Sequence, residues 1–396
     1  MVFEKVSVEK CASYDKELVK NSLDKAIDEI DGLSFVEEGM TVGLKLNLVG
    51  AAAPEKAVTT HPMIVRRLCE RLTEMGARVV IGDSPGGVFN KNYVSGIYKA
   101  CGLLELEKDF DGKVKLNGNY SEKDAEFADA VSIKTFTYTG WLDDVDAIIN
   151  VSKLKTHAMM GMSCAVKNMF GTIPGVTKPQ YHMRFPEERA FANVMVDLNE
   201  FFKPQLYIVD AIDGMEGNGP TAGDKRHIGA VLASKKPYAL DVVCGDMIGM
   251  GIRDVPTIGA AFERGLGPES IADVDIVSSS DGENIKIADF KRATIHQLID
   301  FSGGGFGNKM KSVLVKLFLQ TRPQVKASEC IGCKKCYETC PAGAITMVER
   351  NVKGKALLIP EIDRSKCIKC FCCQEFCPKG AMKVHENPLG RFVSTI

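Results

Sequence analysis

The sequence predicts two units of different class: a large α/β unit with a mostly parallel sheet flanked by helices, and a small α+β unit after it. Three observations predict this. Strand-like and helix-like segments alternate up to about residue 302, the pattern of a sheet built through helical crossovers. A Gly-rich break, Ser302-Gly-Gly-Gly-Phe-Gly307, follows, and such a run interrupts regular structure. Beyond about residue 325 an ungapped repeat begins, and it holds nine of the chain's 14 cysteines. The expected boundaries are 1–302 for the large unit, 303–324 for a linker with an amphipathic helix, and 325–396 for the small unit.

Each element has a local reason. Apolar runs predict strands over 42–48, 147–154, 205–212, 228–233 and 274–278. The run 78–82 is a further strand, which enters the turn Asp83-Ser84-Pro85-Gly86-Gly87. Helical periodicity predicts helices over 61–75, 93–106, 190–202 and 238–250. A helix from about Met159 is expected to place Ser163 and Lys167 on one side, at i and i+4. The segment 309–320 reads as an amphipathic helix packed between the units.

Composition narrows the class. Apolar residues make up 45% and charged residues 26% of the 396, as in an ordinary globular protein. The net charge of −1 argues against nucleic acid or an anionic membrane as the main partner. The N-terminal stretch is charged and lacks a signal-peptide core. No stretch reaches the roughly 18 apolar residues that a membrane span requires. The reading is a cytoplasmic protein, in which clustered cysteines hold metal rather than form a disulfide framework.

The repeat carries the strongest chemistry. The first unit is Cys330-x2-Cys333-x2-Cys336-x3-Cys340-Pro341 and the second is Cys367-x2-Cys370-x2-Cys373-x3-Cys377-Pro378. Two-residue gaps wrap a tight loop round one iron–sulfur cube, and the fourth cysteine starts a helix that points to the other cube. One [4Fe–4S] cluster is therefore assigned to Cys330, Cys333, Cys336 and Cys377, and a second to Cys367, Cys370, Cys373 and Cys340. Zinc uses paired C-x2-C elements too, but it has no use for the third cysteine or the Cys-Pro, each present twice. Cys372 is extra and reads as a small buried side chain. This unit resembles a bacterial-type two-cluster ferredoxin, which implies one-electron transfer.

In the large unit, polar residues gather where strands end, the edge at which open α/β sheets bind ligands. They are Lys45 and Asn47, then Asp83, Ser84 and Gly86, then Lys153, Lys155 and His157, and later Asp213. With Lys167 and Asn168 they suggest a clamp for a phosphate or carboxylate. Lys155, Lys167 and His157 are its chemical candidates, since an imidazole moves protons near neutral pH. A solvated lysine pair and a capping histidine explain the same residues. Asp210, Asp213 and Glu216 read as turn-forming carboxylates or a cation site. Cys164 reads as a core residue or an activated thiolate. Gly217-x-Gly219-x-x-Ala222 fits a loose dinucleotide pattern, but a strand follows it where a helix is needed.

Lys45-x-Asn47, Asp83-Ser-Pro-Gly86, Lys153-x-Lys155-Thr-His157, Lys167-Asn168-x-Phe-Gly171 and Asp213-Gly-x-x-Gly-x-Gly-Pro220 together resemble the family catalogued as domain of unknown function 362. Its members are often joined to two-cluster ferredoxins. The resemblance implies a shared pocket built from those motifs and supplies no reaction. Three readings follow. The first is an iron–sulfur oxidoreductase acting on a small anionic substrate or a cofactor in the large unit. The second is an electron carrier whose large unit docks a redox partner protein. The third is a non-redox enzyme with structural or sensing clusters.

Overall fold

The computed structural model describes residues 4–278, 285–293, 322–352 and 354–385. The expected Gly-rich break and the helix over 309–320 lie outside them.

The large unit begins with β1 (Glu4–Lys10) and α1 (Lys16–Asp28). Asp15 caps α1 by accepting from the Glu17 and Leu18 N–H groups. β2 (Thr41–Lys45), α2 (Pro62–Glu74) and β3 (Arg78–Gly82) follow, with Pro62 opening its helix. Next come α3 (Lys91–Ala100), β4 (Val114–Leu116) and the hairpin of β5 (Glu122–Glu126) with β6 (Thr135–Thr139). β7 (Ala147–His157) is buried at every position, as a central strand covered on both faces must be. β8 (Gly161–Ser163), α4 (Ala165–Asn168), α5 (Lys178–Arg184) and α6 (Glu188–Phe202) lead to β9 (Leu206–Glu216) and β10 (Asp224–Ser234). α7 (Pro237–Met247), α8 (Pro256–Glu263) and β11 (Val274–Val277) complete the unit.

The main path of the nine-stranded sheet runs β11-β1-β10-β9-β7-β2-β3-β4, with β8 paired to β7. The β3–β4, β2–β3, β2–β7, β7–β9 and β1–β11 pairs are parallel. β10 is antiparallel to both neighbours because it returns from β9 through a hairpin. The sheet is thus mostly parallel, as expected, with one reversed strand, β10, on its main path and a second, β8, beside β7. The Gly217–Ala222 stretch lies in that hairpin, so the loose dinucleotide pattern lacks its helix. Residues along β9 alternate between two apolar clusters: Leu206, Ile208 and Ile212 join one, and Tyr207, Val209 and Ala211 the other. The two clusters are therefore the two faces of the sheet.

One element differs from expectation. No helix starts at Met159. The chain turns back as β8, antiparallel to β7, with Lys155 opposite Ser163. The His157 ring accepts the Met159 and Met160 N–H groups at 3.2 and 3.1 Å, and Gly161 supplies a φ of +67°. This turn outweighs the helical spacing, and Lys167 falls instead in the single-turn α4.

The small unit opens with β12 (Arg322–Val325), slightly before the expected boundary. It continues through α9 (Lys335–Glu338), β13 (Ile345–Val352), β14 (Lys355–Ile362), α10 (Cys372–Glu375) and β15 (Met382–His385). β12 pairs with β15 and β13 with β14. The repeated cysteine motifs become two equivalent half-modules, each with a short helix.

The small unit seats on the carboxyl edge of the sheet through α10. Gln374 donates to the Asn218 carbonyl at 3.0 Å, and the Thr221 hydroxyl donates to the Glu375 carbonyl at 3.2 Å. Phe376 fills the space over Gly86: a Cβ built on that glycine would lie 1.8 Å from the ring. We expect Gly86→Val to unseat the small unit while both units stay folded. Hydrogen exchange should then rise at 217–222 and 372–376 and stay unchanged in β7. Unaltered exchange at both segments would refute the contact.

Candidate functional site

The parallel strands β2, β3, β7 and β9 run towards one edge, where residues of β2, β7 and β9 meet the loop after β3. Lys45 of β2 forms an ion pair with Asp83, just beyond β3, at 2.9 Å. Asp83 also accepts the Leu48 and Ser84 N–H groups at 2.6 and 2.9 Å. Gly171 lies against this pair so closely that a Cβ would be 2.1 Å from Asp83 Oδ1 and 2.4 Å from Lys45 Nζ. Lys153 of β7 donates to Asp210 at 2.9 Å and to the Tyr14 hydroxyl at 2.7 Å. Both ion pairs are buried.

Lys155 has no such partner among the described residues. Its ammonium donates to Asn47 Oδ1 at 2.7 Å and to the Val58 carbonyl at 2.6 Å. Asn47 donates onward to Asn168 at 2.9 Å, and Asn168 to Asn150 at 2.7 Å. The chain of amides orients the lysine without neutralising it. Lys178 donates to the Ser84 carbonyl and lies 5.7 Å from the Phe170 ring centroid. The Lys167 ammonium makes no hydrogen bond or ion pair among the described residues. A carboxylate does enter from the small unit: Glu375 of α10 reaches within 4.0 Å of His157 Nε2. Two backbone N–H groups hold His157 Nδ1 as an acceptor, so the neutral ring carries its proton on Nε2, facing Glu375.

Burial governs the charges. It pulls the Lys155 ammonium down to about 7, and repulsion from Lys167 adds to the effect. It pulls Lys178 to about 8, opposed by Asp83. Burial lowers Lys167 against the pull of Glu375. It also lowers Lys45 and Lys153 despite their carboxylates. Five lysines therefore share Asp83, Asp210 and Glu375. An unpaired buried charge is costly, so this edge suits an anion that restores the balance.

Most residues expected from the sequence come together here: Lys45, Asn47, Asp83, Ser84, Lys153, Lys155, His157, Lys167 and Asn168. Lys153 and Lys155 do not act as a pair, because a register shift against β9 lies between them and each takes separate partners. Gly86 belongs to the seat of the small unit. Asp213 borders the site through its backbone, whose N–H donates to the Tyr14 hydroxyl at 3.1 Å, while its carboxylate is held by His227 at 2.8 Å and Lys225 at 3.2 Å. Cys164 is buried in the apolar core, and burial pushes its thiol up. Sequence reasoning missed Lys178, Asn150 and Glu375.

In the small unit, Cys330, Cys333, Cys336 and Cys377 line one void. Cys340, Cys367, Cys370 and Cys373 line another, with Cys372 beside them. Each fourth cysteine has crossed to the other half-module. Backbone N–H groups of Gly332, Ala344 and Ala381 point at the Cys330, Cys340 and Cys377 sulfurs at 3.5, 3.3 and 3.2 Å. Among the described residues no three His, Cys, Asp or Glu side chains converge as one metal ion requires. Four sulfurs spread around a void fit an iron–sulfur cube, which places its irons between them.

A family model described as a domain of unknown function, DUF362, matches residues 42–246. The chain belongs to the DUF362 family. A second model, a 4Fe-4S dicluster domain, matches residues 329–381, so this DUF362 chain carries an iron–sulfur electron-transfer module. It is 32% identical over 270 residues to a thylakoid-associated protein of Synechocystis sp., covering 66% of this chain and 80% of that one. Among solved structures it is similar to the lactate racemase apoprotein of Thermoanaerobacterium thermosaccharolyticum, at 11% identity and a TM-score of 0.40, over 59% of this chain and 55% of that one. A Thermotoga maritima protein aligns at 13% identity and a TM-score of 0.33, over 54% of each chain. The chain thus spans just over half the length of either structure. Among the described residues no helix is long and apolar enough to cross a membrane.

The buried lysine gives a pH signature. Its folded-state value of about 7 lies below the ordinary lysine value of 10.5, so the folded form holds its proton less tightly than the unfolded chain. The penalty is full below about pH 7 and fades as pH rises towards 10.5. We expect Lys155→Met to be more stable than the parent at pH 6.5, with the gap closing by up to about 1.4 kcal/mol per pH unit above pH 7. Urea unfolding of both proteins at pH 6.5, 8 and 9.5 tests this, and a gap independent of pH would contradict it.

Proposed function

We propose that this DUF362 protein is a cytoplasmic iron–sulfur oxidoreductase whose large unit binds a small anionic substrate at the lysine-lined edge of the sheet. The observation that supports this most is the placement of α10. This helix carries Cys373, is followed by Cys377, and presents Glu375 to His157 within the same turn. Cys373 and Glu375 are thus two residues apart on one helical turn, a rise of about 3 Å along its axis.

Two [4Fe–4S] clusters, held by Cys330, Cys333, Cys336 and Cys377 and by Cys367, Cys370, Cys373 and Cys340, would supply one-electron transfer. Lys155 and Lys167 attract and orient the anion, and Lys178 adds charge from the opposite loop. Asn47 and Asn168 fix the direction of Lys155. His157 holds a proton on Nε2 for a reduced substrate atom, and Glu375 steadies that ring. Lys45–Asp83 and Lys153–Asp210 keep the strand ends in register beneath the site. The seat of the small unit keeps bulk water from this edge, where charge interactions are strongest. Electrons would come from a redox partner protein. Iron–sulfur cubes require thiolates kept reduced, which supports the cytoplasm as the compartment. The name of the Synechocystis relative places that protein at a thylakoid, and peripheral attachment to a membrane face is compatible with this assignment.

Two tests follow. Anaerobic reconstitution should give about eight irons and eight sulfides per chain, with Cys372→Ala unchanged and Cys377→Ser losing about half. Zinc in place of iron would overturn the assignment. His157→Gln and Lys155→Met should keep their clusters and reduce an artificial acceptor at the parent rate, yet lose cellular function by about a hundredfold or more. Survival of that function would instead support a large unit that only docks a partner.

A further inference from the structure

Outside the buried lysines, a cleft of about 450 Å³ opens between the two units, within the size range of small-molecule sites. One wall comes from the loops after β2 and β3. The other comes from α9 and the segment after α10. Lys56, Lys335 and Lys379 line it, with Glu375 as the single carboxylate. None of the three lysines forms an ion pair among the described residues. Lys335 instead lies 4.7 Å from the centroid of the Tyr93 ring, which is also a lining residue. Phe376 adds a second aromatic surface and Cys377 a sulfur. At its inner end the cleft reaches Val58, whose carbonyl accepts the Lys155 ammonium.

We propose that this cleft binds a phosphate-bearing small molecule, its anionic group held by Lys56, Lys335 and Lys379 and its body lying against Tyr93, Phe376 and the Cys377 side of the small unit. Three lysines from two units with no carboxylate partner form a surplus of positive charge that neither unit has alone. Lysine serves such sites as a point charge for phosphate. The ring faces give an organic portion apolar contact, and aromatic walls favour a planar one. The inference rests on the reading of the sheet edge as an anion site and adds where the outer part of the ligand is recognised.

Pyrophosphate is the probe, titrated by calorimetry into the anaerobically reconstituted full chain. Saturable one-to-one binding is expected, weakened about tenfold by Lys56→Ala and by Lys379→Gln. Lys335→Ala should act likewise, and if its closeness to Cys336 costs the cluster, the other two variants carry the test. Iron content and visible absorbance verify each sample. No saturable binding, or binding unmoved in the Lys56/Lys379 double variant, overturns the proposal. If Lys155→Met abolishes binding while the rim variants retain it, the anion belongs to the buried edge: the cleft proposal falls and the functional reading stands.

Discussion

Five lysines converge on the carboxyl edge of one sheet, and among the described residues only Lys45 and Lys153 have a carboxylate in ion-pair contact. The rest of the architecture follows from that shortfall. Asp83 and Asp210 satisfy Lys45 and Lys153 as buried pairs, which fixes the ends of β2 and β7 against their neighbours. Lys155 is left with an amide and a carbonyl. Burying an ammonium among neutral acceptors is tolerable only where a further negative group arrives. One such group, Glu375, is delivered by the other unit. The small unit is therefore part of the charge balance of the large one, besides holding the iron–sulfur motifs.

Much of this was legible in the chain. Lys45, Asp83, Lys153 and Lys155 were conspicuous because each stands at the end of an apolar strand, where a charge has no structural excuse. The cluster cysteines were legible because the spacing of sulfur ligands is set by the reach of a thiolate. Lys178 was not visible, because it sits in a Pro-flanked helix start that looks like any surface turn. Glu375 was hidden for a different reason. It follows a cluster ligand, and only the docking of two units reveals what it faces. The helix expected at Met159 failed because spacing alone carries no information about a side chain, His157, that captures the backbone donors of Met159 and Met160. Asp213 looked equivalent to Asp210, but the hairpin register pairs it with His227, and pairing is not written in one strand.

The short helix α10 concentrates several duties in four residues. It contributes Cys373 to one void and buries Cys372, while Gln374 and Glu375 face the large unit. The contact to the sulfurs and the contact to the lysine edge therefore lie on a single helical turn.

The close approach of Phe376 to Gly86 also bears on inheritance. A Cβ at position 86 would occupy the space that the Phe376 ring takes, so a descendant of this chain can carry a side chain there or keep the small unit in this seat, but not both.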